Sequence, residues 1–275
     1  DKFYGIGFQI LSQPFQLIIQ KIVPLFFYVD DYGAKLISKH AVVFILFSIS
    51  GIYFKKILFL ITKNEFFAIL STILYLTYPY LFGHSLFNPK DIPFLSIWLI
   101  LTYFNFYIIN KFLDTDLLKY KDLFLFGALT AFLISIRVSG ILIFLQFLIS
   151  FILIFNIKKI SYYTFFSYLL IRLVFFIITI FSFVILFYPI FWTNPFLLFD
   201  AIKFMGNFPQ DICTLTFGKC LRAQNLDPMY IPSWLAVKLP IIVLIGLFSL
   251  PFVEKKIFSI KKNQIFFGTI LVTVL

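Results

Sequence analysis

One stretch of the sequence, GHSLFNPKDIP at residues 83–93, places several chemically capable side chains between two strongly apolar runs. Ionisable groups beside lipid are costly unless they have charged partners or line a polar cavity. The ammonium group of Lys90 is suited to holding a phosphate, and Asp91 to acting as a base, a metal ligand or a partner for Lys90. His84 and Asn88 supply polar groups for a substrate pocket. The alternative is that Lys90 and Asp91 are ordinary interfacial residues, with Asp91 capping the next helix.

A second candidate for phosphate binding is Arg137, at the turn between the apolar runs 123–136 and 138–156. A guanidinium group can contact a phosphate through two parallel hydrogen bonds. The alternative is that Arg137 extends towards the lipid headgroups to keep its charge in water.

Two adjacent acids, Asp30 and Asp31, precede the first long apolar run at residues 36–54. One of them could be a catalytic base. The alternative is a solvated entry to a helix. His40, near the start of the same run, is a further candidate for a substrate pocket.

The segment 193–232 is a long mixed loop, and a loop of this length is more often functional than not. Trp192, Asn194 and Tyr230 are its candidates for a substrate pocket. Its aromatic residues could equally be interfacial anchors.

The only two cysteines, Cys213 and Cys220, also fall in this loop. A disulfide between them is plausible in an oxidising compartment, and two free thiols are the alternative. With two histidines in the whole chain, the cysteines do not form a zinc signature.

The composition places most of this chain in lipid. Hydrophobic residues make up 61% and charged residues 13% of the 275, far from the balance of a soluble domain. The apolar residues form continuous runs, which favours helices over a barrel of alternating strands. The net charge of +11 comes largely from lysines in short loops, so nucleic-acid binding is not predicted. No nucleotide-binding motif is present.

The apolar runs predict an all-α polytopic membrane protein with about eight transmembrane helices. The predicted spans are 36–54, 66–83, 92–110, 123–136, 138–156, 164–191, 233–252 and 264–275. The predicted organisation is an interfacial amphipathic segment at 1–35, a helical core at 36–192, an outer-face loop at 193–232 and C-terminal transmembrane helices at 233–275. Because the chain lacks a starting Met and stops inside an apolar run, we expect a fragment.

Lysines predict the orientation of these spans. Alternate loops carry lysines close to the span ends, which is typical of the cytoplasmic side. These lysines are Lys55, Lys56, Lys63, Lys111, Lys119, Lys121, Lys158, Lys159, Lys255, Lys256, Lys261 and Lys262. The NPKD loop, the Arg137 turn and the loop 193–232 are therefore expected to share the opposite, outer face.

The stretch GHSLFNPKDIP, after a span that ends in Tyr-Pro, resembles the second outer-loop motif of bacterial GT-C-type glycosyltransferases. These enzymes are relatives of dolichyl-phosphate-mannose–protein mannosyltransferases and of lipid A aminoarabinose transferases. Further similar stretches follow the family's order at residues 38–40, 136–140, and 188–195 together with 232–240. The resemblance covers most of the chain, to about residue 250.

The resemblance implies a GT-C fold and a polyprenyl- or dolichyl-phosphate-linked sugar as donor, at the outer face of the bacterial inner membrane. It implies a basic residue near the lipid phosphate, which corresponds to Lys90 with Arg137 as helper and Asp91 beside them. It also implies an acid in the first outer loop, acting as base or linked to a metal. That acid is expected before Asp1, with Asp30 or Asp31 as a poor substitute. A divalent metal is compatible with this chemistry, and no other cofactor is implied.

The sequence thus predicts glycosyl transfer, with the sugar and the acceptor unspecified. The alternative is a transporter or lipid flippase without covalent chemistry. Transporters tend to have internal repeats and broken, polar helices at the midplane. No convincing repeat is visible, and the ionisable residues gather at one face, which favours the enzyme.

Overall fold

The structure is a computed structural model of the chain and describes residues 5–115, 118–158, 161–206, 213–216, 218–222, 227–249 and positions 265 and 269. It is mostly helical, as the sequence predicts. The chain divides into two compact units, one of Asp1–Leu197 with Lys256–Leu275 and one of Leu198–Lys255. The predicted lysine loop and span after residue 250 lie outside the described residues, apart from positions 265 and 269.

The first unit is a bundle of helices. These are α1 (Gly7–Phe26), α2 (Asp31–Thr62), α3 (Glu65–Thr77), α4 (Pro79–Ser85), α5 (Asp91–Thr115), α6 (Tyr120–Ile136), α7 (Leu142–Lys158) and α8 (Tyr162–Phe187). Short 3-10 helices, Val138–Ile141 and Pro189–Trp192, precede α7 and follow α8. Helix α2 packs against α1, α3 and α5, while α6 packs against α5 and α8.

Four helices in the described part of the chain are long and apolar enough to cross a membrane. They are Asp31–Thr62, Asp91–Thr115, Val138–Phe155 and Phe166–Phe187, and a bent pair, Glu65–Thr77 with Pro79–Ser85, makes up to five. The structure therefore has four to five candidate spans, and the predicted number of about eight is not confirmed. Helix α6 has 17 residues, a rise of about 26 Å, which falls short of a typical span.

The predicted span 66–83 is broken into α3 and α4, which meet at an angle of 60°. Pro79 begins α4, where its missing N–H costs nothing, but it cannot continue the hydrogen-bond ladder of α3. The pair runs antiparallel to α2: Lys55 binds Glu65 at 3.0 Å, and Ser50 hydrogen-bonds Tyr75 at 2.8 Å. This arrangement returns the chain to the start of α5.

Helices α5 and α6 form an antiparallel pair with an ion pair at each end. At one end Asp91 pairs with Arg137, and at the other Lys111 Nζ lies 2.6 Å from Asp122 Oδ2. Arg172 adds to this second end, donating to the carbonyl of Leu118 at 3.0 Å. We call the end of the bundle that carries Asp91 and Arg137 the Arg137 end, and the other, with Lys55 and Lys111, the lysine end.

Helix α1 buries two polar side chains and exposes large apolar ones, unlike a typical helix of a soluble protein. Ser12 and Gln16 are buried and bonded to each other at 2.7 Å, whereas Phe15, Leu25 and Phe26 are more than half exposed. An outward apolar face is suited to lipid. Helix α1 occupies most of the predicted segment 1–35 and is not among the candidate spans.

A row of polar side chains lies buried between α5 and α7. Asn105 donates to Ser150 at 3.1 Å, and Ser150 bonds the hydroxyl of Thr269 at 3.1 Å. One turn along, Thr102 lies 3.5 Å from Gln146. Polar groups of this kind join helices in lipid, where water cannot satisfy them.

The predicted span 233–252 is not confirmed: as far as residue 249, the structure divides it at Pro240. The second unit contains α10 (Tyr230–Lys238) and α11 (Ile241–Ser249), each of nine residues, and neither is a candidate span. Because the residue before a proline is driven out of the helical region, α10 ends just before Pro240.

The predicted loop 193–232 is partly structured. It contains α9 (Leu197–Gly206) and an antiparallel hairpin of β1 (Cys213–Thr216) and β2 (Lys219–Arg222), turned at Gly218 with φ +77°. Cys220 is disulfide-bonded, and the chain's one other cysteine is Cys213 on the facing strand.

Candidate functional site

Asn88 stabilises the turn before α5, which carries the candidate site. Its side-chain oxygen accepts hydrogen bonds from the backbone N–H groups of Lys90 and Asp91, at 3.1 and 2.9 Å. These N–H groups have no partner within the helix, so a polar side chain here stabilises its start. The capping role that the sequence allowed for Asp91 belongs instead to Asn88.

Asp91 is held by two partners. Its Oδ1 pairs with the guanidinium group of Arg137, and its Oδ2 accepts from the amide of Asn88 at 2.9 Å. The side chains of Arg137 and Asp91 are 47% and 53% exposed, so the pair lies at the surface of the bundle. The structure thereby brings together the NPKD loop and the Arg137 turn, which the sequence placed on one face. The exposed Lys90 precedes Asp91 directly.

The position of Arg137 is fixed by the turn around it. Its N–H closes α6 on the carbonyl of Leu133 at 3.1 Å, and its carbonyl accepts from Gly140 at 2.9 Å. A Cβ atom on Gly140 would come within 2.8 Å of the Ile134 backbone. Only glycine therefore allows the chain to close this tightly behind Arg137.

Tyr188 supports the same turn, a role that sequence reasoning did not assign. Its hydroxyl donates to the buried carbonyl of Ile134 at 2.9 Å. Burial raises the pKa of Tyr188 to about 12, so the phenol stays protonated as a donor at neutral pH. The Tyr-Pro pair after α8 was the visible signal, but the carbonyl it binds depends on how α6 and α8 pack.

Helix α1 also packs against this turn. A Cβ atom on Gly7 would meet the Ser135 hydroxyl, and one on Gly5 would lie 2.5 Å from the Ser135 carbonyl. The N–H of Ile6 donates to the carbonyl of Phe187 at 2.9 Å. The start of α1 therefore presses on the end of α6, two residues before Arg137.

His84 joins the site through Asn88. Its Nδ1 lies 3.2 Å from the Asn88 amide nitrogen, and its ring lies between those of Tyr80 and Phe87, with centroid distances of 4.4 and 5.1 Å. The sequence assigned His84 and Asn88 to a substrate pocket. In the structure both are parts of the scaffold that holds Asp91.

The two acids Asp30 and Asp31 lie away from this site, so the structure gives them no part in holding Asp91, and their role as a base stays a prediction. Asp30 caps α2 by accepting from the Gly33 N–H at 2.8 Å. Val43 of α2 packs beside Ile92, the neighbour of Asp91, whereas Asp31 precedes Val43 by about 18 Å of helix rise.

The other predicted pocket residues have the following local contacts and positions. Trp192 is exposed and donates to the Ile185 carbonyl at 2.8 Å, closing the end of α8. Asn194 accepts from the Phe196 N–H at 3.1 Å. His40 is half-buried in α2. Tyr230 starts α10 in the second unit, with its ring 6.2 Å from that of Trp234.

The residues around Asp91 do not fit a divalent metal ion. One carboxylate oxygen is paired with the cationic guanidinium of Arg137 and the other accepts from Asn88. In the part of the chain that the structure describes, no three His, Cys, Asp or Glu side chains are grouped closely enough to hold a metal. The arrangement is suited instead to an anion, which the formal charges of Lys90 and Arg137 would attract against the single charge of Asp91.

The fold and this site define a class, a helical membrane protein with a cluster of charged residues at one end of its bundle. Comparison with protein-family models, with curated proteins and with solved structures finds no match.

Proposed function

We propose that this chain is a GT-C-like membrane glycosyltransferase that uses a polyprenyl- or dolichyl-phosphate-linked sugar, with about eight spans. The observation that carries the proposal is the ion pair of Asp91 and Arg137, next to Lys90, at one end of the bundle. It joins two stretches that resemble the family in sequence and lie 46 positions apart, and it leaves a net positive charge where a lipid phosphate would meet the bundle.

The chemistry of this donor explains the charges. The acceptor hydroxyl attacks the anomeric carbon, the bond from that carbon to the phosphate oxygen breaks, and the acceptor proton passes to a base. The lipid phosphate leaves with one more negative charge than it had in the donor. Lys90 and Arg137 would stabilise this developing charge. Both oxygens of Asp91 are engaged, so we assign it to holding Arg137, and the base is a group not yet identified.

The proposed setting is the bacterial inner membrane, with the Arg137 end outside the cytoplasm. Lysines gather at the opposite end, as is typical of cytoplasmic loops. The disulfide of Cys220 supports an oxidising environment for the loop 193–232. The exposed apolar side chains of α1 support contact with the acyl chains or with the tail of the donor.

The proposal is tested with Lys90→Ala in the full-length protein, assayed for sugar transfer from a polyprenyl-phosphate donor in membrane vesicles. We expect transfer to fall by about 100-fold or more, since a charge on the leaving group loses its partner. Lys35→Ala, on an exposed lysine of α2, is the matched control and should keep transfer. Normal turnover in Lys90→Ala, with a normal amount of the variant in the membrane, would refute the assignment of Lys90 to the donor phosphate.

A second candidate function, transport or lipid flipping, is favoured by one observation. The span α3–α4 is broken by 60°, and discontinuous helices are typical of substrate sites in transporters. The two functions differ in outcome: a flippase would move the lipid-linked sugar across vesicles without breaking the sugar–phosphate bond. Translocation of an intact donor, with no transfer to any acceptor, would favour this candidate.

A further inference from the structure

Asn88 is the centre of the hydrogen-bond network, and the orientation of its amide is fixed by chemistry. Its side-chain oxygen faces two backbone N–H groups, those of Lys90 and Asp91, which can only donate. The amide nitrogen must therefore point the other way. There it lies 2.9 Å from Asp91 Oδ2 and 3.2 Å from His84 Nδ1, with one hydrogen for each.

This orientation favours one tautomer of His84. An Asn88 N–H meets a lone pair at Nδ1 when the hydrogen of a neutral imidazole is on Nε2. The backbone at His84 is fixed, since the N–H groups of Phe87 and Asn88 donate to its carbonyl at 3.2 and 2.8 Å. The rings of Tyr80 and Phe87 contact the imidazole itself. A doubly protonated His84 would set one N–H against another.

We propose that neutral His84 is a positioning residue: it holds Asn88, and through Asn88 it holds Asp91 and Arg137 in place. Protonation at Nδ1 sets a ring N–H against the Asn88 amide nitrogen, which pushes that nitrogen away from Asp91. Asp91 then loses one of its two partners, while the Asn88 oxygen stays bonded to the backbone N–H groups of Lys90 and Asp91. The effect on transfer rests on the proposed function, whereas the hydrogen-bond chain itself does not.

The positioning role predicts that acid weakens donor binding, whereas an argument from charge alone predicts that acid strengthens it. The titratable or charged residues in or next to this network are Tyr80, Lys90, Asp91 and Arg137, and a protonated His84 would add a positive charge beside them. If His84 contacted the lipid phosphate as a cation, acid would strengthen donor binding. If His84 positions Asn88, acid weakens it. The direction of the pH profile separates the two roles.

The experiment compares wild type with His84→Asn and His84→Leu between pH 7.5 and 5.5, the range in which histidines titrate. The Asn variant offers an amide oxygen near the place of Nδ1 and cannot titrate, while the Leu variant offers no acceptor. We expect wild-type transfer to fall about tenfold on acidification, His84→Asn to stay active and flat, and His84→Leu to be low throughout. A wild-type rate that rises in acid, or a His84→Leu variant with the wild-type profile, would overturn the proposal.

A second readout does not depend on transfer. The chain has two histidines, so ¹⁵N NMR in nanodiscs with a His40→Asn variant for assignment identifies the signals of His84. We expect the Nε2–H tautomer at pH 7.5 and a shift of the Asn88 side-chain amide in His84→Leu. A hydrogen on Nδ1, or an unmoved Asn88 amide, would refute the positioning role. If these signals are as expected but wild type transfers no sugar, the proposed function fails and the positioning role stands.

Discussion

At the scale of single residues, the pair of Asp91 and Arg137 matters for position rather than stability. Both side chains are about half exposed, and a solvated ion pair contributes roughly 0–1 kcal/mol. A carboxylate that accepts from both a guanidinium and an amide nevertheless fixes the direction in which the guanidinium points. The pair therefore contributes mainly to the orientation of the Arg137 guanidinium.

This view predicts the behaviour of Asp91→Asn, Arg137→Gln and the double variant. Each single change should alter the free energy of unfolding by no more than about 1 kcal/mol, because the pair is exposed. Each should lower transfer at least tenfold, and the double variant should be no worse than Arg137→Gln. Thermal unfolding and initial rates of transfer measure the two effects.

Arg137→Lys serves as the control, since it keeps the charge and loses the planar fork. A double variant much less active than either single variant would show that Asp91 acts on its own, as a catalytic base. Loss of several kcal/mol in the single variants would instead assign the pair to folding.

The sequence alone identifies the charged residues of this site but not their partners. Residue type and a shared predicted face were enough to select Lys90, Asp91 and Arg137. The scaffolding role of Asn88 was invisible, because it depends on a turn whose geometry no single residue determines. The distance of Asp30 and Asp31 from Asp91 was not predictable either, because the order of spans predicts the side of the membrane but not the distance along a helix axis.

At the scale of elements, the start of α1 controls the end of α6. Gly7 lies against Ser135 so closely that a Cβ atom would overlap its hydroxyl. Any larger side chain must push the two helices apart, and the displaced end of α6 carries Arg137. The contact links a helix outside the candidate spans to the charged cluster.

We therefore predict that Gly7→Val destabilises the protein by about 1–3 kcal/mol, as overpacking does, and lowers transfer. Gly83→Ala is the matched control, because nothing lies within 4 Å of a Cβ at that position. Thermal unfolding of the purified variants in detergent gives the comparison. Equal stability of the two variants would show that α1 and α6 are not tightly packed.

Apolar runs predicted the positions of α2, α5 and α8 well, because lipid selects for long uninterrupted hydrophobic segments. They failed at Pro79 and Pro240, where the hydrophobicity continues but the backbone ladder does not. Both prolines are visible in the sequence. Whether a proline kinks a helix or divides it depends on how the neighbouring helices pack. Hydropathy carries no information on that packing.

At the scale of the whole bundle, the broken pair α3–α4 decides whether its two ends face opposite sides of the membrane or the same side. The broken pair α3–α4 returns along α2 from Lys55 to the neighbourhood of Val43. If it crosses as one span, Lys63 and Phe87 lie on opposite sides. If it enters and leaves by one side, they share it.

Single cysteines at Lys63 and Phe87, both exposed positions, test this topology in a background with Cys213 and Cys220 replaced by Ser. An impermeant maleimide should label Phe87→Cys in right-side-out vesicles and Lys63→Cys in inverted ones. The cysteine-free parent, with both native cysteines replaced by Ser and none added, controls for background labelling. Labelling of both positions from one side would show that α3–α4 is re-entrant.

The buried contact of Asn105, Ser150 and Thr269 has a consequence for how the protein is made. Its successive partners are 45 and 119 positions apart, so Asn105 and Ser150 can pair well before Thr269 is synthesised. Until then the Ser150 hydroxyl lacks its contact with the Thr269 hydroxyl, and the Asn105 side-chain oxygen has no partner among the described residues even afterwards. The last hydroxyl of this contact therefore joins only after α5 and α7 have both been made.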